Sequence, residues 1–374
     1  KGVTGMLWYL VICAMMLYPY AIARAGTLTG RSTKHIALFT ACTILWFFMA
    51  FRSSRVGVDT KHYAYVFSQF RNIPFSRVFT AVTYANESES WAFDFEPGYR
   101  LANKLLSLFF SSSQAITVFN STVILVLWYF LIKRDSPNFM LSIWLFVTLG
   151  IYQTEMNVTR NAIAILMVYN AFPYLRRGDF PRYFGACLFA SLFHVAALVF
   201  VPVYFLVRGV RLHPKKMGML ILAFCALGVV FPLISPILSR MVPGRFAKYL
   251  QGNNEKLGSL IVGVLNGGFF LLTLWLLPKK QRSRVFARER LGVMLLTANL
   301  CFFGLNIGLG DASRMAALFG PYLVILIPRM LTLIEHRGRR ADATTFLVVL
   351  SGVQYILRMC VNNIGGTLPY DFFW

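Results

Sequence analysis

Arg52 and Arg55 stand three residues apart at the end of an apolar run, and Asp59 follows one helical turn later. If that helix continues, all three share a face. Arg160 follows Asn157 by three residues, and Arg314 follows Asp311 by the same spacing, each at the start of a later apolar stretch. A guanidinium fork matches phosphate oxygens, so several such groups aimed at one surface would suit an anion such as the diphosphate at the head of a lipid. Each has a plainer reading. Arg52 and Arg55 can anchor a helix at the membrane interface, Asp311 and Arg314 can simply pair, and Arg71, Arg77, Arg100 and Arg240 suit solvent or lipid headgroups. His194, flanked by apolar residues, is either a packed interior histidine or an acid–base group. Asp94 and Glu96 have the D-x-E form that can hold a divalent ion, or belong to a solvated loop ahead of the turn at Pro97 and Gly98.

What must position these groups is set by composition. Of 374 residues, 57% are hydrophobic and 14% charged, too apolar a chain for a water-soluble globule. The formal charge of +23 is not gathered into a nucleic-acid-binding patch. Lys and Arg recur in short loops between apolar runs, at 24–34, 133–134, 176–182, 208–216, 279–290 and 337–340. This is the positive-inside pattern, which makes those loops cytoplasmic.

With the basic loops inside, helices are expected at about 6–23, 35–51, 113–132, 138–153, 157–175, 217–238, 258–278, 291–308, 313–334 and 343–360. Only the apolar stretch 183–207 separates Arg182 from Arg208, both of which belong inside. A helical hairpin turning near His194 reconciles them; a single helix that breaks the charge rule is the alternative. The expected fold is an all-α, polytopic membrane bundle forming one domain over 1–374, with about twelve crossings and both termini extracytoplasmic. Residues 52–111 form a long outer loop with amphipathic segments, and 239–257 a second one. Every candidate named above then falls on the outer side, and Lys248 and Tyr249 join them from the second loop.

The six cysteines lie in apolar runs without metal-ligand spacing and read as packing residues. No Walker A, G-x-S-x-G or H-E-x-x-H pattern occurs. The chain opens at Lys1, so its authentic start is expected earlier, and Arg24 after the first apolar run favours a retained helix over a cleaved leader.

Five stretches carry a family resemblance: FRSSRVGVDTKHYAYVF from Phe51, FEPGYRLANKLL from Phe95, MNVTRNAIAI from Met156, SLFHVAALVFVPVYFLVR from Ser191 and SRMAALFGPYLVILIP from Ser313. In this order they resemble the EpsG/Wzy-type polysaccharide polymerase family. The resemblance implies polymerisation of oligosaccharide repeat units carried on undecaprenyl diphosphate, at the periplasmic face of a bacterial inner membrane. It also implies a chain-length regulator and a flippase as partners in the same pathway, and no cofactor or metal. Arg52, Arg55, Arg160 and Arg314, with Asn157, Lys248 and Tyr249, are then expected to hold diphosphate or sugar. His194, Asp59 or Glu96 is expected to deprotonate the acceptor hydroxyl. A ligase-like or metal-dependent membrane glycosyltransferase would use the same donor with another acceptor. A transporter or flippase is a further alternative, opposed by charges gathered at helix ends and by the lack of an inverted repeat.

Overall fold

The computed structural model describes residues 31–79, 95–241 and 256–374. The span expected at 6–23 and most of the second outer loop lie outside them, as do Asp94, Lys248 and Tyr249. Among the described residues every regular element is helical, apart from one isolated antiparallel bridge between Arg52 and Phe372. They gather into two compact units, one reaching to residue 204 and rejoined by 351–374, the other holding 205–350.

In the first unit the chain passes through α1 (Arg31–Ala50), α2 (Thr60–Asn72), α3 (Pro97–Phe109), α4 (Gln114–Asp135), α5 (Phe139–Thr148), α6 (Ile151–Asn157), α7 (Thr159–Asn170), α8 (Phe172–Arg177) and α9 (Phe180–Ser191). A 3-10 segment (Val195–Phe200) then leads into α10 (Val201–Gly209). α4 is the axis, with α1 and α7 packed along it. Its Trp128 ring lies 4.6 Å from Phe146, fully buried, and Tyr152, Tyr169 and Phe172 extend the same core.

The region between α1 and α4 folds onto the start of α4. α2 buries Tyr63, Val66, Phe67 and Phe70, the spacing of one helical stripe, against Phe95, Tyr99 and Ile116. The buried Lys104 ammonium of α3 caps α2 by donating to Phe70 O (3.2 Å) and Arg71 O (3.3 Å). The expected hairpin is present: the Tyr183 hydroxyl donates to Phe200 O (2.9 Å) and the Tyr204 hydroxyl to Gly178 O (2.6 Å), so the strand of chain after His194 returns along α9.

Two expected helices are corrected. The one at 138–153 is broken at Gly150, whose φ of +77° no helical residue adopts, and α5 and α6 meet there at 60°. The one at 157–175 begins only at Thr159, after a second break at Val158 (ψ 49°), and divides at Ala171 into α7 and α8, with Arg160 in the first turn of α7.

In the second unit α11 (Pro214–Met241), α12 (Lys256–Leu276), α13 (Lys279–Arg288), α14 (Arg290–Leu305), α15 (Ala312–Phe319) and α16 (Leu323–Leu331) lead into α17 (Arg337–Asn362), whose second half returns to the first unit. α11 crosses α14 where no side chain fits: a Cβ on Gly304 would stand 2.7 Å from Cys225 Sγ, and Cβ atoms on Gly228 and Gly308 would strike the carbonyls of Gly304 and Gly228. Gly304 and Gly308 form a small-xxx-small pair, the means by which helices without a hydrophobic driving force between them approach closely.

α4, Pro214–Leu238, Gly258–Leu276 and Ala312–Leu331 are each long and apolar enough to cross a bilayer, and α5 with α6 makes a fifth if the bent pair is one span. Among the described residues Lys34–Ala50, Val195–Gly209 and Arg290–Leu305 are shorter apolar helices, and the span expected at 6–23 lies outside them, so fewer than the expected twelve crossings are accounted for. Leu222, Val229, Leu233 and Ile237 of α11 are each 62–77% exposed, as are Val264, Leu271 and Trp275 of α12 at 63–75%. Apolar surface of this kind on helices long enough to cross a bilayer fits lipid, and the chain is a helical membrane protein.

Replacing Gly304 with Leu drives a branched side chain into Cys225 and the α11 backbone. The thermal unfolding midpoint of the detergent-purified protein is expected to fall, for a cost of about 1–3 kcal/mol or more. Gly185, which has open space around its Cβ position, is the control and is expected to tolerate Ala with little change.

Candidate functional site

The site begins at the FEPG segment. Pro97 opens α3, where its missing N–H costs nothing. The N–H groups of Gly98 and Tyr99 both donate to Leu192 O at the hairpin turn (2.8 and 3.2 Å). A Cβ on Gly98 would lie 2.8 Å from both Leu192 Cβ and Leu192 O, so only glycine allows this approach. Glu96 is thereby set directly beside the turn that carries His194.

Glu96 then binds two distant chain segments at once, joining them to its own. One oxygen, Oε2, pairs with the Arg160 guanidinium, and the other, Oε1, accepts from Val195 N–H at 3.1 Å and lies 3.5 Å from His194 Nδ1. The pair is well shielded, with Arg160 and Glu96 side chains 18% and 17% exposed. Arg160 lies over the Phe95 ring at 3.9 Å from its centroid, with Tyr99 at 5.8 Å. Below it, Asn120 of α4 donates to the Tyr99 hydroxyl (2.8 Å) and to Thr159 Oγ1 (3.2 Å), fixing the start of α7 against α3.

His194 has two hydrogen-bonding states. With Ala196 N–H donating to Nδ1 (3.2 Å), the proton of the neutral ring sits on Nε2. In the other tautomer Nδ1–H faces Glu96 Oε1 and Nε2 is free to accept a proton. Burial holds the ring below its ordinary pKa, the carboxylate of Glu96 works against this, and the charge of Arg160 adds to it. His194 is therefore neutral near pH 7, the form a base requires.

The other expected residues separate into groups. Arg52 is 1% exposed; its guanidinium donates to Met156 O (2.8 Å) and to Met49 O, so it ties α1 to the break before α7. Asn157 is likewise spent on backbone: Nδ2 donates to Gly365 O (2.8 Å) and Gln153 O (3.2 Å), and Oδ1 accepts from Asp59 N (3.4 Å). Asp59 heads α2, half-buried. Arg55 is 72% exposed, 3.9 Å from Asp371. Arg314 belongs to the second unit, where it is 73% exposed and pairs with Asp311 at 3.1 Å.

Sequence reasoning passed over two contributors. His62, in the first turn of α2, meets the Phe95 ring edge-on at 5.5 Å; it falls in the stretch from Phe51 that carries the family resemblance, but nothing in its spacing pointed to this contact. The segment after α17 folds back so that Ser53 N donates to Asp371 O (2.8 Å) and Phe373 N to Phe51 O (3.1 Å), bracing the Arg52 to Arg55 stretch. Positive φ at Asn363, Gly365 and Gly366 makes that return possible.

The opposite end of α4 carries cations of another kind. Asp135 takes hydrogen bonds from Arg134 and Arg176 (2.8 Å each), and Arg134 donates to Asn170 O (2.8 Å), bringing two of the loops expected in the cytoplasm together. Asn120 and Arg134 are about 21 Å apart along α4 at 1.5 Å per residue.

Compared with known proteins, the chain matches the model of the EpsG family over residues 35–372, and it belongs to that family, the family of Wzy-type polysaccharide polymerases. No curated protein and no solved structure matches it.

Glu96→Gln tests the electrostatics. The carboxylate opposes the depression of the His194 pKa, so removing its charge is expected to move the His194 titration lower still, read by NMR of histidine-labelled protein. A titration that moves upward would contradict the arrangement.

Proposed function

We propose that this member of the EpsG family joins oligosaccharide repeat units carried on undecaprenyl diphosphate, at the extracytoplasmic face of a bacterial inner membrane, and that the Arg160–Glu96–His194 cluster is its reaction centre. The observation that carries this reading is the position of Glu96, bound on one side to Arg160 and on the other to the His194 turn. The cluster stands at the far end of α4 from Arg134 and Arg176, and cations of short loops mark the cytoplasmic side, which supports an outward-facing site.

In the reaction an acceptor hydroxyl oxygen forms a bond to the anomeric carbon of the donor sugar as the bond from that carbon to the diphosphate oxygen breaks. The hydroxyl proton passes to His194 Nε2, and the bonding electrons leave on the diphosphate. His194 serves as base in the tautomer whose Nδ1–H faces Glu96, and the carboxylate then stabilises the imidazolium. The leaving group needs charge rather than a proton, and Arg160 supplies it. α2 and α7 both begin without a side-chain cap, so their first-turn N–H groups add positive potential around Asp59 and Arg160. Glu96 itself is a poor base while both its oxygens are engaged, and it acts as the positioning residue for both partners. Asp59 remains the alternative acceptor of the proton.

Arg55, exposed near Asp371, is the second proposed diphosphate contact. Arg314, Lys248 and Tyr249 are proposed to meet sugar or phosphate from outside the cluster. Arg52 and Asn157 serve the site by holding backbone. The twelve-crossing path with both termini outside belongs to this reading, as do a flippase that delivers the substrate and a chain-length regulator that ends synthesis.

The test is polymer formation in a deletion strain expressing variants at normal membrane levels. Arg160→Ala and His194→Ala are each expected to lower activity by about 10² to 10⁴-fold and to leave a single lipid-linked repeat unit in place of a ladder. Long polymer from either variant would remove that residue from the mechanism.

A further inference from the structure

His62 is the titratable group beside the cluster that the proposed reaction leaves unused. It projects from the first turns of α2, half-buried, and its ring meets Phe95 at 5.5 Å with the planes 80° apart. The same Phe95 ring carries the Arg160 guanidinium at 3.9 Å. Phe95 is 5% exposed and is itself packed among Tyr63 and Tyr99, so it is a fixed spacer that holds an imidazole and a guanidinium at one locus. The charged groups acting on His62 are Asp59, three residues before it, and Arg160 across Phe95, whose own partner is Glu96.

On the reading that this cluster receives a lipid diphosphate, we propose that His62 is a further ligand of that diphosphate besides Arg160 and Arg55, donating from its ring to a phosphate oxygen beside Arg160. Arg160 is a permanent cation, and His62 is a conditional one. Burial first, and then the charge of Arg160, hold the free ring below its ordinary pKa, with Asp59 opposing, so it is neutral before the donor arrives. A diphosphate cancels the field of Arg160 and replaces it with negative charge, which favours the imidazolium. The ring therefore takes up a proton on binding. Donor affinity is highest at pH values below the pKa of the free His62 ring and is lost as pH rises through the higher pKa of the bound state. A ligand that can shed its charge also eases departure of the diphosphate product, which a third permanent cation would retain.

The experiment compares His62→Gln and His62→Lys with the unaltered protein, each purified as the full chain in lipid nanodiscs and assayed with lipid-linked repeat unit between pH 6 and 8. His62→Gln is expected to raise the donor KM about tenfold at the acid end, the size of one lost charge-assisted hydrogen bond, while kcat changes little and the pH dependence of KM flattens. His62→Lys, which keeps a cation and discards the ring, is expected to restore a low KM that no longer varies over this range. A companion NMR titration of labelled histidine with inorganic pyrophosphate is expected to move the His62 pKa upward. The inference is overturned if His62→Gln leaves KM and its pH dependence unchanged, or if His62→Lys is as impaired as His62→Gln, since the ring would then matter only for packing on Phe95. Failure of the underlying reading looks different: Arg160→Ala and His194→Ala would then also make long polymer, whereas failure of the His62 role alone leaves those two variants inactive.

Discussion

A carboxylate shielded from water at a membrane protein's edge must be compensated, and around Glu96 that requirement organises the site. Its two oxygens are met by a guanidinium from α7 and by an N–H and an imidazole from the hairpin turn, while its own segment opens α3. Segments 60 to 100 residues apart in sequence are joined by one charge. Taking any partner away leaves a half-buried ion with water as its only remedy, so the ion pair and the hairpin turn hold each other in place.

Around this centre, other polar groups serve backbone that regular structure cannot satisfy. Breaking a helix near a bilayer exposes carbonyls and N–H groups that lipid cannot solvate. The breaks at Gly150 and Val158 are of this kind: Gln354 and Arg358 donate to Thr148 O (2.7 Å) and Leu149 O (3.2 Å) at the first, and Arg52 donates to Met156 O (2.8 Å) at the second. The reward is that Arg160 begins a helix at the site instead of lying along one. Segments 51–53 and 371–373 supply one another with the remaining hydrogen bonds, so the end of the described chain is part of the scaffold that carries Arg55.

Elsewhere the fold is held by close packing. Leucine against lipid and leucine against leucine are nearly equal in free energy, so helices associate where small residues let backbones touch, as Gly228, Gly304 and Gly308 do, or where side-chain amides pair, as Asn266 does with Asn299 at 3.2 Å. At α4, the Arg134–Asp135–Arg176 network anchors loops at one end, and the Glu96–Arg160–His194 cluster stands at the other.

The amino-acid sequence by itself determined the helical membrane class, the hairpin at His194, the amphipathic segments within 52–111 and the family, because hydropathy, charge bias and short motifs are local properties. It also gathered Glu96, Arg160 and His194 into one list of candidates. It could not separate Arg52 from Arg55, since three residues of spacing put both on one face, and only tertiary packing decided that one guanidinium is buried on carbonyls and the other open. Nor could it join His62 to Arg160, since the Phe95 ring that both meet brings α2 and α7 together only in the folded chain. Pairing across such distances depends on which backbone break turns which helix, and that is settled when the chain folds and each buried polar group finds a partner.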